Sequence, residues 1–217
     1  QAVPPLTGTG YYDMARAWHG TQFSVNSNVK GPAIALDDGT TTATIFADGF
    51  ESNMGWTHGG TEDDWQRGDP VARAQTYGRP DPETAYLGSN VYGTDIGASG
   101  YNGTYRPNAN SWLMSPAIDC SGYEDVQLAF TRWLNVEQPL YDRAIVEVSG
   151  TGSGGPWTEI WRNSVEVTDT SWQWMNFDIG AIADDRADVR IRFRLRSDAN
   201  WHYAGWNIDE VHVIGDH

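Results

Sequence analysis

Residues 188–197 alternate with a strict period of two. Val189, Ile191, Phe193 and Leu195 are apolar, and Arg190, Arg192, Arg194 and Arg196 stand between them. A helix would scatter the four arginines around its circumference. A strand gathers them on one face and the aliphatic and aromatic side chains on the other. So clean an alternation points to an antiparallel sheet packed on one side only, with the guanidinium groups turned outward. Arginines so placed call for carboxylates on neighbouring strands as cross-strand partners.

Other segments extend this pattern through the chain. Residues 42–47, 85–87, 90–92, 112–114, 126–136, 144–148, 157–161, 171–179 and 206–214 read as further short strands separated by turn and loop residues. Residues 179–185 read as a turn or a single helical turn. Residues 51–68 read as loop-rich, and residues 78–83 and 96–110 as loops, the last unusually long for an inert connection. No fixed period recurs, which excludes a propeller or solenoid. The expected architecture is all-β, an antiparallel jelly-roll β-sandwich over residues 44–217 with a short N-terminal extension over residues 1–43. Within that extension, residues 11–18 could form a helical turn, and residues 23–25 and 33–36 short strands.

A chain of 217 residues can bury a full core. Its 29 acidic residues against 14 Lys and Arg give a net charge of -15, which repels nucleic acid and anionic membranes. No run is long and apolar enough to insert as a membrane helix. The single cysteine, Cys120, excludes an internal disulfide and reads as a buried, inert thiol. Acidity, few lysines and abundant Gly, Asn, Thr and Trp fit a secreted, extracellular bacterial protein. The chain opens on Gln1, as a mature or excised fragment does.

The order of motifs resembles that of a known family. Phe46-Ala47-Asp48-Gly49-Phe50-Glu51, then Gly55-Trp56, then Asp63-Asp64-Trp65-Gln66-Arg67, is similar to the opening of MAM domains. Ala85-Tyr86-Leu87-Gly88, Leu113-Met114-Ser115-Pro116, Leu128-Ala129-Phe130 and Asn207-Ile208-Asp209-Glu210-Val211 follow in the same order. The bacterial relatives are the cleaved-adhesin jelly rolls found C-terminal in secreted, gingipain-type peptidases, and this chain is closer to those. The resemblance covers residues 46–215. It implies a non-catalytic module for adhesion, assembly or substrate targeting, whose partners are a catalytic domain of the same parent chain and an extracellular protein or polysaccharide. It also implies a structural cation where the first and last strands meet, held by Glu51 and Asp209, with Asp48, Asp63 and Glu210 as further ligands.

Strand parity bears on Asp209 independently. If Val211 and Val213 face the core, a straight strand turns Asp209 inward, and a buried carboxylate needs a cation or a donor-rich cap. Ligation by oxygen alone would select calcium over zinc.

Signatures of catalysis are scarce. His-Glu-x-x-His, phosphate-binding-loop and Gly-x-Ser-x-Gly patterns are all missing from the sequence. A stand-alone hydrolase or lyase is the least favoured reading. Arg67-Gly68-Asp69 spells an integrin-type tripeptide, a match that arises by chance. Aromatic residues suggest an alternative use of the module. Trp201 and Tyr203, beside the last strand, and Tyr101 and Tyr105, in the long loop, could form a stacking platform for a polysaccharide. Trp56, Trp65, Trp133, Trp161 and Trp206 fall at family positions and are expected in or near the core.

Overall fold

The computed structural model describes residues 41–98 and 100–217. The strands and helical turn expected within residues 1–40 lie outside the described residues. Twelve strands follow in chain order: β1 (Thr42–Asp48), β2 (Thr57–Thr61), β3 (Trp65–Gly68), β4 (Val91–Thr94), β5 (Asn110–Met114), β6 (Glu124–Val136), β7 (Arg143–Ser149), β8 (Thr158–Arg162), β9 (Val167–Thr168), β10 (Gln173–Asp178), β11 (Arg190–Arg196) and β12 (Gly205–Asp216). One helical turn, α1 (Gly180–Ala183), precedes β11. The strands form two antiparallel sheets, a jelly-roll β-sandwich. One runs β10-β6-β12-β4-β3, with β1 added to β12 and β9 to β6. The other runs β2-β5-β11-β7-β8.

The arginine strand, β11, lies at the centre of the five-stranded sheet between β5 and β7. Ile191, Phe193 and Leu195 are fully buried. Phe193 meets Phe130 of the opposite sheet edge-on at 4.9 Å, stacks on Trp56 at 6.2 Å and touches Trp206 at 5.8 Å. On the outer face Arg192 stands directly opposite Glu147 and bonds it at 2.7 Å. Arg194 reaches the same carboxylate at 3.5 Å, Arg190 takes Asp188 at 2.6 Å, and the Arg192 guanidinium also lies 4.0 Å over the Trp157 ring. The expected cross-strand carboxylate is therefore Glu147.

Two expectations are corrected. Residues 51–68 are not all loop, because β2 and β3 lie within them. The glycines of β2 hide its strand character, yet Gly60 is required there: a Cβ would come within 2.3 Å of the Asn110 carbonyl oxygen. Residues 85–87 are not a strand but part of a turn ahead of β4. The one-sided packing expected of the arginine strand holds for β11; the seven-stranded sheet, by contrast, is covered on both faces. Its inner face carries Leu128, Phe130, Leu134 and Trp206. Its outer face carries Thr131, Asn135, Asn207 and Asp209, all at 0% exposure beneath a covering segment. Arg79 donates its N–H to Asn135 there, and Trp133 Nε1 donates to the Pro80 carbonyl.

Of the tryptophans expected in the core, Trp56, Trp65 and Trp206 are buried, while Trp133 and Trp161 are half-buried. Cys120 is a free, buried thiol, and burial pushes its pKa up to about 11. Replacing Phe193 by Ala removes the ring on which both sheets close. It should cost about 3–5 kcal/mol, read as a fall in the midpoint of urea denaturation with an unchanged slope.

Candidate functional site

Two features of the fold carry chemistry. The first lies at a break in β12. On one edge, β12 pairs with β4 at Asn207 and Ile208 and with β1 from Val211 onward. Asp209 and Glu210 fall between and have no strand partner on that edge. The ladder to β6 shifts register over the same residues, and Glu210 has φ 49°. Such a bulge sets two residues against one and reverses parity on one side. Ile208 and Val211 therefore both reach the core, and Asp209, opposite Thr131, lies on the outer face. The inward aim expected of Asp209 from a straight strand is corrected by this bulge, although its burial is complete.

The turn over residues 86–90 covers it. Asp209 Oδ2 accepts the Leu87 N–H at 3.0 Å, and Oδ1 accepts the Glu210 N–H at 2.8 Å. Burial pushes the Asp209 carboxyl up to about 7 against the pull of these donors. Glu51 grips the same turn from its other end. Its Oε1 accepts the Ser89 and Asn90 N–H groups, each at 2.8 Å, which hold its pKa below the usual range. Gly88 is obligatory between the two grips. Its φ is 71°, and a Cβ there would lie 2.5 Å from Glu51 Oε1.

Asp48 and Glu210 complete the acidic turn. Asp48 accepts the Phe50 N–H and the Trp56 indole N–H, both at 2.8 Å, so each of its oxygens already holds a donor. Burial raises its pKa. Glu210 Oε2 accepts from His212 Nε2 at 3.1 Å, and its Oε1 lies 2.6 Å from where a Gly49 Cβ would stand, with Asp209 Oδ1 3.9 Å from that point. Asp63 is not joined to these residues by any contact; it is paired with His58 at 2.7 Å and accepts the Trp65 N–H. The oxygens of Asp209 and Glu210 thus converge over Gly49, with Asp48 and Glu51 as flanking anchors. An all-oxygen set of this kind suits a hard cation.

The second feature is a groove of about 580 Å³ between residues 74–77, 102–104 and 199–202. Trp201, 53% exposed and at φ 51°, stacks on Tyr77 at 5.3 Å and 16°. Tyr77 stacks in turn on Tyr203 at 6.5 Å and 10°. A bulky side chain at positive φ is strained and persists only where its surroundings enforce it. Gln75, Asn102, Thr104 and Asn200 line the groove with carboxamides and a hydroxyl. A smaller recess, lined by Tyr101 and Arg106, adjoins it through Asn102, Thr104 and His202.

Of the expected platform, Trp201 and Tyr101 reach the surface. Tyr105 and Tyr203 do not. Tyr105 is 1% exposed with its hydroxyl donated to Asp142, and Tyr203 is 5% exposed with its hydroxyl donated to Glu166 at 3.0 Å. Tyr203 serves the platform from beneath, and burial pushes its pKa up to about 12. Sequence reasoning missed Tyr77, which sits in a Gly- and Pro-rich stretch with no periodicity. It also passed over Asn102 and Thr104, visible only as Asn102-Gly103-Thr104, a glycosylation-type tripeptide. Arg67 of the integrin-type tripeptide donates to the Phe50 carbonyl at 2.8 Å, a structural contact.

A scan against protein-family models finds no match, and neither does a search of curated proteins. Solved structures do resemble the chain. The K1 cleaved adhesin domain of Lys-gingipain from Porphyromonas gingivalis W83 is 17% identical, with 80% of this chain and 97% of that one covered and a TM-score of 0.50. The K2 cleaved adhesin domain of Lys-gingipain is 18% identical, with 80% and 99% covered and a TM-score of 0.47. The CBM22-1 xylan-binding domain from Paenibacillus barcinonensis Xyn10C is 17% identical, with 81% and 96% covered and a TM-score of 0.47. At these identities the likeness is one of fold. The cleaved-adhesin kinship read from the motif order is matched at that level.

The grip on residues 86–90 has a direct test. Gly88→Ala forces a left-handed residue to carry a Cβ against Glu51 and should cost roughly 1–2 kcal/mol in urea denaturation.

Proposed function

We propose that this chain is a non-catalytic carbohydrate-binding module that seats a polysaccharide in the groove beside Trp201. The observation that carries the reading is the half-exposed Trp201 ring, held at positive φ and backed by Tyr77 and Tyr203. An exposed indole face backed this way loses little freedom on binding, and it stacks on the C–H face of a pyranose. Asn102, Asn200 and Thr104 stand where they can bond the sugar hydroxyls, while Gln75 spends its amide on the Arg73 and Gly103 carbonyls. The net charge of -15 disfavours anionic glycans, so the ligand is a neutral polysaccharide. In a secreted parent hydrolase such a module would hold substrate near the catalytic domain.

The acidic turn takes a supporting role in this reading. Asp209 and Glu210 would hold a structural calcium with nearby backbone carbonyls, while Asp48 and Glu51 keep the surrounding turns in place. The support is the convergence of two carboxylates over Gly49 and the full burial of Asp209. A cation there would offset the repulsion between Asp209 and Glu210.

Affinity electrophoresis through gels containing neutral polysaccharides tests the groove. At least one polysaccharide should retard the protein. Trp201→Ala should weaken that retardation by about 2 kcal/mol or more, some thirtyfold, without lowering the melting temperature. Free migration through every gel overturns the reading. For the acidic turn, chelation should lower the melting temperature of the wild type by more than that of Asp209→Asn; equal shifts in the two remove the calcium from the acidic turn.

A further inference from the structure

At one end of the sandwich β6 and β7 are joined by residues 137–142, and β11 runs out beside them into residues 197–204. Glu137 and Asp142 begin and end the first connection, and Asp198 opens the second. One carboxylate oxygen from each lies within 4.8 Å of the other two, a grouping met nowhere else among the described residues for three such side chains. Oxygen ligands of calcium sit 2.3–2.6 Å from the ion, so oxygens on opposite sides of it stand roughly 5 Å apart or less. The spacing is that of ligands around one ion.

The Glu137 side chain is a second and separate observation. Glu137 is 4% exposed, and its carboxylate has no hydrogen bond or ion pair among the described residues. The other two acids are fixed in place by donors. Asp142, at 0% exposure, accepts the Tyr105 hydroxyl on Oδ2 and the Asp198 N–H on Oδ1 at 2.7 Å. Asp198 Oδ1 accepts the Asn200 N–H at 2.6 Å. Glu137 alone is held by nothing. Burial, with Asp142, Asp198 and Glu166 nearby, raises its pKa. Among the described residues the basic group acting on Asp142 is His202, whose Nε2 is buried without a partner. Arg143, at the start of β7, is turned to the Pro139 carbonyl. A nearly buried carboxylate facing two others is costly without a positive partner.

We propose that Glu137, Asp142 and Asp198 form a binding site for a divalent cation of the calcium class. Three carboxylates give the hard, all-oxygen donor set that calcium takes, with room for water in the remaining positions. The bound ion joins the end of the β6–β7 connection to the loop that carries Trp201, since Asp198 lies three residues before it. The Asn108 N–H already holds the Asp198 carbonyl from the other side at 2.6 Å. The ion thus fixes the wall of the groove. The site stands apart from the acidic turn at Asp209 and shares no residue with it.

The test uses the full chain freed of metal by chelation, titrated with terbium as a luminescent stand-in for calcium. Excitation of the aromatic side chains should give sensitised terbium emission, because the Tyr105 and Tyr203 rings lie beside the site, and added calcium should quench it. Glu137→Gln and Asp198→Asn should each weaken binding by at least about tenfold, while Asp209→Asn retains the emission. Asp198→Asn alters a loop residue and keeps the test valid if the Glu137 variant fails to fold. Unchanged affinity in the folded variants, or no emission from the wild type, overturns the proposal. Emission lost in Asp209→Asn but kept in Glu137→Gln overturns it too and assigns the ion to the acidic turn. Loss of the groove reading alone leaves the emission untouched.

Discussion

A sheet face that is both polar and covered is the constraint on which the rest of this structure turns. Asn135, Asn207, Asp209 and Thr131 project from the seven-stranded sheet away from the sandwich interior, yet all are fully buried. Polar groups removed from water must find partners. Thr131 donates to the Asp209 carbonyl within the sheet, and the other three take partners from the covering chain between β3 and β5, which has little regular structure beyond β4. Asp209 takes the Leu87 N–H, Asn135 the Arg79 N–H, and Asp95 the Gly97 and Gly103 N–H groups. Asp81 accepts from the Asn207 side chain. Irregular backbone is thereby fixed by side chains rather than by a ladder.

That arrangement explains where the groove comes from. Residues 74–77 and 102–104 form part of its wall because Gln75 donates to the Gly103 carbonyl and Asp95 holds Gly103 from below. The remaining wall is the loop after β11, tied down by the Tyr105 N–H to the Tyr203 carbonyl and by Asp198. It also explains the concentration of raised carboxyl pKa values. Burial, with Asp95 adding to it, pushes Asp64 up to about 7, and Asp81 stands well above the usual range for the same reasons. Acidic residues in this protein are thus of two kinds. Some hold backbone donors and act as staples. Glu137, Asp198 and Glu210 keep an oxygen that no donor among the described residues holds, and those are the positions where a cation has something to do.

How far the sequence disclosed this depends on which force set each residue. The β11 strand was legible because one rule, alternation, governs every residue in it, and its cross-strand carboxylate followed from charge. The β2–β3 region was not, because Gly60 serves a close approach to the Asn110 backbone and Gly59 lies against the Trp112 ring, and neither glycine carries a β signal. Asp209 was rightly marked as buried but for the wrong face, since the φ of Glu210 that shifts the parity has no counterpart in residue type. Tyr105 and Tyr203 read as exposed because they lie on loops. They are buried because those loops pack back on the fold, where their hydroxyls find Asp142 and Glu166. The aromatic platform was visible as composition, but Tyr77, which seats it, comes from a stretch more than 100 positions away along the chain.

Native-state hydrogen exchange read residue by residue tests most directly whether carboxylates hold the covering chain in place. The amides of Leu87, Ser89 and Gly103 lie outside every strand. They should nonetheless exchange on the order of a thousandfold more slowly than open chain, and Asp209→Ala should release Leu87 while leaving the β11 amides protected. Exchange of these three amides at open-chain rates in the wild type, beside a protected β11, would contradict the account.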